Sequence, residues 1–217
     1  MKLYKFRSLF TETDYCRIKE IIETGEFWCS NFWELNDPME GVFGTSDNDL
    51  ISEIFDQKKR YKICSFSGQK GFSNPLMWGY YANGFKGIAI EVDVKSEDGN
   101  IYEIKYVSDI FKDIKNADGN VAKKILCRKT KPWEMENEFR FLIEDEKNKH
   151  KIGEIRHVYF GAPYKFLNNS NEISQLECIK KYNDIKDRLM KLLEHEGIEY
   201  SDVYVKNDEI VNVEEQW

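Results

Sequence analysis

Between Lys131 and Glu144 the chain runs Lys-Pro-Trp-Glu-Met-Glu-Asn-Glu-Phe-Arg-Phe-Leu-Ile-Glu, interleaving aromatic and carboxylate side chains as nowhere else in the sequence. A segment that alternates this way suits a strand with one face on a core, because successive strand side chains point to opposite sides. Starting the strand at Met135 puts Glu136, Glu138, Arg140 and Leu142 on one face and Met135, Asn137, Phe139, Phe141 and Ile143 on the other. Two carboxylates on one face raise each other's proton affinity, and an arginine one pleat further on pulls the other way. Such an edge suits a cationic or hydroxyl-bearing ligand. The plainer expectation is a solvated strand face with a weak Glu–Arg pair.

The rest of the chain supplies partners for such a strand. Leu3-Tyr-Lys-Phe-Arg7 alternates Lys5 and Arg7 against Tyr4 and Phe6, and Glu26–Ser30, Tyr61–Ser67 and Lys86–Val92 also have strand character. The apolar run Ile88–Ile90 suggests a central place in a sheet. Asp98-Gly99, between Val92 and Ile101–Val107, is a turn signal for an antiparallel hairpin. Ile155–Phe160, Val203–Val205 and Ile210–Val213 are further strand candidates. A helix is expected from Thr11 or Thr13 to Thr24 with Gly25 closing it, another from an Asp49 cap, and a third from Asn183 to Glu196 ended by Gly197. Pro75 opens a helical turn through Tyr81, and Asn36-Asp-Pro38 marks a turn. A helix on Val121, Ile125 and Leu126 ends in Lys123, Lys124, Arg128, Lys129 and Lys131, expected as ordinary surface charge at a helix C-terminus.

These elements predict one α+β domain over residues 1–217, with a mostly antiparallel sheet, whole or split, flanked by three or four helices. The length suits a single core. An excess of acidic over basic side chains, 39 to 32, argues against a broad non-specific nucleic-acid surface, which needs clustered Lys and Arg. The opening Met-Lys-Leu-Tyr-Lys-Phe-Arg has no apolar run of the export type, and no stretch has the length and apolarity of a membrane span. A cytoplasmic protein is expected. Cys16, Cys29, Cys64, Cys127 and Cys178 are widely spaced and form no C-x-x-C, so buried reduced thiols are expected rather than zinc ligands.

The common phosphate-binding, zinc-protease and serine-hydrolase motifs are absent from the sequence. What remains is a distributed set: Arg7, Asn36-Asp37, the segment Trp78, Tyr80 and Tyr81, and the pair Glu136 and Glu138. Arginine offers a fork for phosphate, aromatic rings offer faces for a base or nicotinamide, and glutamate accepts from ribose hydroxyls and stabilises an oxocarbenium ion. Together they suit a dinucleotide. His157 in an alternating strand and His195 near a helix end are expected to be structural.

Leu3-Tyr-Lys-Phe-Arg7, Asn36-Asp-Pro38, Leu76-Met-Trp-Gly-Tyr-Tyr-Ala82, Gly87-Ile-Ala-Ile-Glu91 and Trp133-Glu-x-Glu-x-Glu-Phe-Arg140, as an ordered set, resemble the bacterial and phage-associated family called domain of unknown function 2971. The resemblance spans most of residues 3–162. It implies a cytoplasmic effector or modifying enzyme of mobile or phage-defence loci, toxin-like in action. More distantly, the chain resembles the ADP-ribosyltransferases, which have a split antiparallel sheet around an NAD cleft. That likeness implies NAD as substrate, Arg7 as a phosphate or ribose contact, Tyr80 or Tyr81 as the nicotinamide-stacking aromatic, Glu138 as the catalytic glutamate and Glu136 as the first member of its E-x-E. Ser65-Phe-Ser67 has the spacing of the family's serine-x-serine motif.

The leading expectation is therefore an NAD-consuming transferase or hydrolase with catalytic Glu138 and Glu136 and an NAD site of Arg7, Ser65, Trp78, Tyr80 and Tyr81. Its partners would be a nucleotide ligand and either a macromolecular acceptor or an antitoxin-like protein, with no membrane. The alternatives are a non-enzymatic module binding a nucleotide signal or a protein, and a nuclease using Asp37, Glu91 and Glu136 around Mg²⁺.

Overall fold

A computed structural model describes residues 1–95, 100–111, 114–165 and 170–212. The chain opens with β1 (Lys2–Ser8), followed by α1 (Glu12–Thr24), whose ends the sequence specifies closely. The Thr11 hydroxyl accepts from the Asp14 amide while the Asp14 carboxylate accepts from Thr11, a reciprocal cap. At the other end Gly25 takes the left-handed conformation and donates to Ile21. Next come β2 (Glu26–Trp28) and α2 (Asn48–Lys59). The α2 cap is Asp47 rather than Asp49, because the Asp47 carboxylate accepts from the Asp49 and Leu50 amides.

After β3 (Tyr61–Ser67), α3 (Gln69–Phe72) and α4 (Pro75–Tyr81) form a compact pair, and β4 (Gly87–Asp93) follows. The next elements are short: β5 (Ile101–Glu103), β6 (Lys105–Val107), α5 (Val121–Leu126) and β7 (Arg128–Thr130). A 3-10 turn over Lys131–Glu136 leads into β8 (Glu138–Glu144), then β9 (Lys149–Lys151) and β10 (Glu154–Gly161). The chain closes with α6 (Ser170–Ser174), α7 (Glu177–Glu196), β11 (Glu199–Lys206) and β12 (Glu209–Asn212). The fold is α+β with mostly antiparallel pairing, as the alternating segments predict. α7 begins six residues before the expected Asn183 and ends, as expected, at a left-handed Gly197.

Two compact units divide these elements. The first comprises Met1–Glu26, Ser67–Lys95 and Ile152–Trp217. Its strands lie in the order β12-β11-β10-β4-β1, antiparallel except for β10 against β11. β4 sits between β1 and β10 and is buried from Gly87 to Val92, which accounts for its unbroken apolar run. α1 and α7 pack together, and the Tyr182 hydroxyl of α7 donates to the Gly161 carbonyl at 2.7 Å. Tyr4, Phe6, Ala89 and Val203 form a second apolar cluster with Phe72, Met77 and Trp78 of α3 and α4.

The second unit comprises Phe27–Phe66 and Ser96–Lys151. There β8 lies between β3 and β5, and β6 runs parallel to β7. Phe32, Tyr61, Ile63, Leu126 and Leu142 form one core cluster; Leu50 and Ile54 of α2 meet Val121 and Ile125 of α5 in another.

Two expectations change. The hairpin joining β4 to Ile101–Val107 does not form: β4 is paired on both edges, β5 pairs with β8, and Ile104 separates β5 from β6. Its proposed Asp98-Gly99 turn lies outside the described residues. Of the cysteines, Cys29 and Cys64 are buried, but Cys16 and Cys178 are exposed; all five are free thiols.

Candidate functional site

The strand read from Met135 begins instead at Glu138. Pro132 sits near the start of the preceding 3-10 turn, and Asn137 ends it in the left-handed conformation, φ 45° and ψ 52°, so the chain turns sharply between Glu136 and Glu138. Period-two alternation therefore does not relate the two glutamates. A lysine does: the Lys129 ammonium lies 2.5 Å from Glu136 Oε2 and 3.2 Å from Glu138 Oε2. It also lies 3.3 Å from Glu40 Oε1. The Trp133 ring covers it at 4.8 Å from the centroid.

Arg140 forms the other half of the cluster. Its Nε donates to Glu138 Oε1 at 2.7 Å, its Nη2 to Glu40 Oε1 at 2.7 Å and Glu138 Oε2 at 3.2 Å, and its Nη1 to the Leu126 carbonyl at 2.6 Å. The Ser65 hydroxyl of β3 also hydrogen-bonds Glu138, and the Glu138 amide donates to the Tyr106 hydroxyl at 2.8 Å. None of this is a solvated face. Side-chain exposure is 1% for Arg140, 5% for Glu138 and Glu136, 4% for Glu40 and 7% for Lys129.

Burial alone would favour the neutral form of Glu138, but the Arg140 and Lys129 charges and the hydrogen bonds from Arg140 and Ser65 outweigh it and bring the pKa down to about 2. For Lys129 and Arg140, burial works against the charge, and the surrounding glutamates overcome it and raise both pKa values. The cluster sets three carboxylates around two cations. One acceptor is left over. Glu40 Oε2 is buried without a hydrogen-bond partner, as is Asp37 Oδ2 on the same turn, among the described residues.

Lys129 and Glu40 are the functional candidates that sequence reasoning missed. Lys129 was expected among surface lysines of a helix end, whereas it sits on β7 with its ammonium inward. Glu40 is brought to Arg140 from 100 residues away in sequence. The only signal for either was their charge close to a turn or a strand.

Among the residues assigned to NAD, Ser65 joins Glu138 and Glu136 in the second unit. Arg7, Trp78, Tyr80 and Tyr81 belong to the first. Arg7 is half-buried on β1, opposite Ile88. Trp78 is wholly buried: its indole N–H donates to the Phe72 carbonyl at 2.9 Å, Phe6 meets it edge-on and Phe85 stacks on it. Tyr81 packs against the same cluster, whereas Tyr80 is 71% exposed beside an exposed Leu76.

For the Mg²⁺ alternative, Asp37 and Glu136 lie in the second unit and Glu91 in the first. Glu91 is engaged by Lys2 at 2.8 Å and by the Tyr159 hydroxyl at 2.9 Å. Among the described residues no group of three or more His, Cys, Asp or Glu side chains is arranged to hold a metal ion. His157 contacts the Ser201 hydroxyl at 2.9 Å and packs against Tyr159. No helix among the described residues is long and apolar enough to cross a membrane.

Compared with protein-family models, with curated proteins and with solved structures, the chain matches none.

Proposed function

We propose that the chain is an NAD-consuming enzyme of the ADP-ribosyltransferase kind, which transfers ADP-ribose to a macromolecule or hydrolyses NAD. The observation that carries this reading is the hydrogen bond between Ser65 of β3 and Glu138 at the start of β8. Two motifs 73 residues apart, the serine-x-serine and the glutamate pair, thus meet at one carboxylate. Arg140 and Ser65 hold that carboxylate ionised and fixed in direction, which is the preorganisation needed to stabilise an oxocarbenium ion as nicotinamide leaves. Glu136, two residues upstream, is the group to orient the acceptor or a water molecule.

Incubating the protein with NAD and following free nicotinamide, with mass analysis of candidate acceptors, separates hydrolysis from transfer. Ser65→Ala removes the hydrogen bond while keeping every ion pair, and is expected to slow nicotinamide release about tenfold to a hundredfold through misplacement of Glu138. Absence of release by the folded protein and by each of its folded variants would overturn the reading, and so would an unchanged rate in both Ser65→Ala and Glu138→Gln.

A binding module without turnover is favoured by one observation, the exposure of Tyr80 and Leu76 on α4. Saturable NAD binding with no nicotinamide release, lost in Tyr80→Ala, is the outcome that would select it.

A further inference from the structure

Lys129 has the surroundings of a bound ligand. Its ammonium is held by oxygens of Glu40, Glu136 and Glu138 within 3.3 Å and roofed by the Trp133 ring. Carboxylates around an aromatic face are a receptor for an organic cation. Glu40, whose Oε1 meets both Lys129 and Arg140, keeps a second oxygen that is buried and unpartnered among the described residues, and the three carboxylates outnumber Lys129 and Arg140. Lys129 reaches it from β7 on a flexible side chain, whereas Arg140 is fixed at both ends by Glu138, Glu40 and the Leu126 carbonyl. Trp133 and Glu136 sit on the 3-10 turn that ends at Asn137, a non-glycine residue held at positive φ.

We propose that this cage is an organic-cation site that the chain fills with its own Lys129, so that the resting protein is held off by an internal competitor. The ligand class is a monocation with a flat or alkyl body, an N-alkylpyridinium or alkylammonium group. In its consequence for turnover the proposal rests on the NAD reading, in which the positively charged nicotinamide end of NAD would take the place of the lysine ammonium beside Glu138. The site itself stands on the cage geometry alone.

The test is chemical complementation of Lys129→Ala, read by thermal unfolding and by quenching of Trp133, with Trp133→Phe as the fluorescence control. The probes are n-propylammonium and 1-methylnicotinamide, with n-propanol and sodium chloride at matched concentrations as controls. Both cations are expected to raise the melting temperature of Lys129→Ala saturably, by about 5–10 °C at a hundredfold excess over the dissociation constant. Wild type, with the cage occupied, should move by less than a tenth as much at the same concentrations, on the order expected for an internal competitor at high effective concentration. Where Lys129→Ala alone does not fold, Lys129→Ala/Glu40→Gln, with two carboxylates facing Arg140, carries the same measurement.

A saturable cation response in neither folded variant, or an equal response to n-propanol, overturns the proposal. A cation response with no nicotinamide release from NAD in any variant leaves the cage standing and removes the NAD reading. Release that Glu138→Gln abolishes but Lys129→Ala does not accelerate removes the internal-competitor role.

Discussion

Arg140 donates through all three guanidinium nitrogens to groups that are themselves buried, so its replacement leaves Glu138 and Glu40 facing each other with only Lys129 between them. Breaking one partner out of a buried ion cluster is costly because the remaining charges stay desolvated. Arg140→Met is therefore expected to lower stability by about 3–5 kcal/mol in urea unfolding, and a loss below about 1 kcal/mol would contradict the buried cluster. Glu138→Gln should be destabilising in the same direction, since it strips a countercharge from two buried cations. Loss of activity in that variant counts as catalytic only when its folded fraction is measured alongside. The carboxylate is also an acid-sensitive support. Its pKa falls from the ordinary carboxylate range near 4.5 to about 2, so its contribution is complete above pH 4.5 and is lost as the pH falls through 2. The difference in melting temperature between wild type and Glu138→Gln should shrink across that window.

Helix ends show where sequence is most informative. Thr11, Asp14 and Gly25 fix α1 because a cap uses neighbouring residues, and Thr11→Ala should cost about 1 kcal/mol in thermal or urea unfolding. Gly87 tests a different constraint. A Cβ there would clash with the Arg7 carbonyl and lie 2.7 Å from Ala82 O and 2.8 Å from Ala82 Cα, all of them backbone, so Gly87→Ala should destabilise well beyond the cap variant. A Gly87→Ala protein melting like wild type would contradict the close approach of β4 to these neighbours. β1, β3, β4 and α4 were legible from alternation, apolar runs and a proline start, all local signals. The start of β8 was not, because the left-handed Asn137 interrupts a pattern that otherwise continues through it. Within the candidate site, Glu138 and Ser65 could be singled out in the sequence. Glu40 and Lys129 could not, since their roles exist only once β7, β8 and the Asp37–Glu40 turn are assembled.

Across the molecule, pH should act through a few buried groups rather than through the net charge of -7. In the second unit Lys58 is buried against Phe32 and Phe43, donates to the Gly41 carbonyl at 2.7 Å, and has its pKa lowered by burial to about 8. Between pH 8 and its ordinary 10.5, the unfolded chain binds a proton that the folded one does not, so this group makes stability rise with pH across that window. Cys127, pushed up from 9.0 to about 11 mainly by burial, and Tyr4, raised from 10.0 to about 12 by burial and Glu91, act in the opposite sense over windows that overlap the upper part of this one. Subtracting the profile of Lys58→Met from that of wild type isolates the lysine, and the difference should move in favour of wild type from pH 8 to pH 10.5; a flat difference would show that Lys58 keeps an ordinary proton affinity. The strand order of the first unit has a consequence in time. β1 is made before β4, yet β4 is its partner along its whole length, from Lys2 against Asp93 to Ser8 against Gly87. At ordinary rates of synthesis the interval between the two is about 4–20 s. For that interval Leu3, Tyr4 and Phe6, buried in the finished fold, are hydrophobic side chains on a strand without β4, surface of the kind that makes an incomplete chain prone to aggregate.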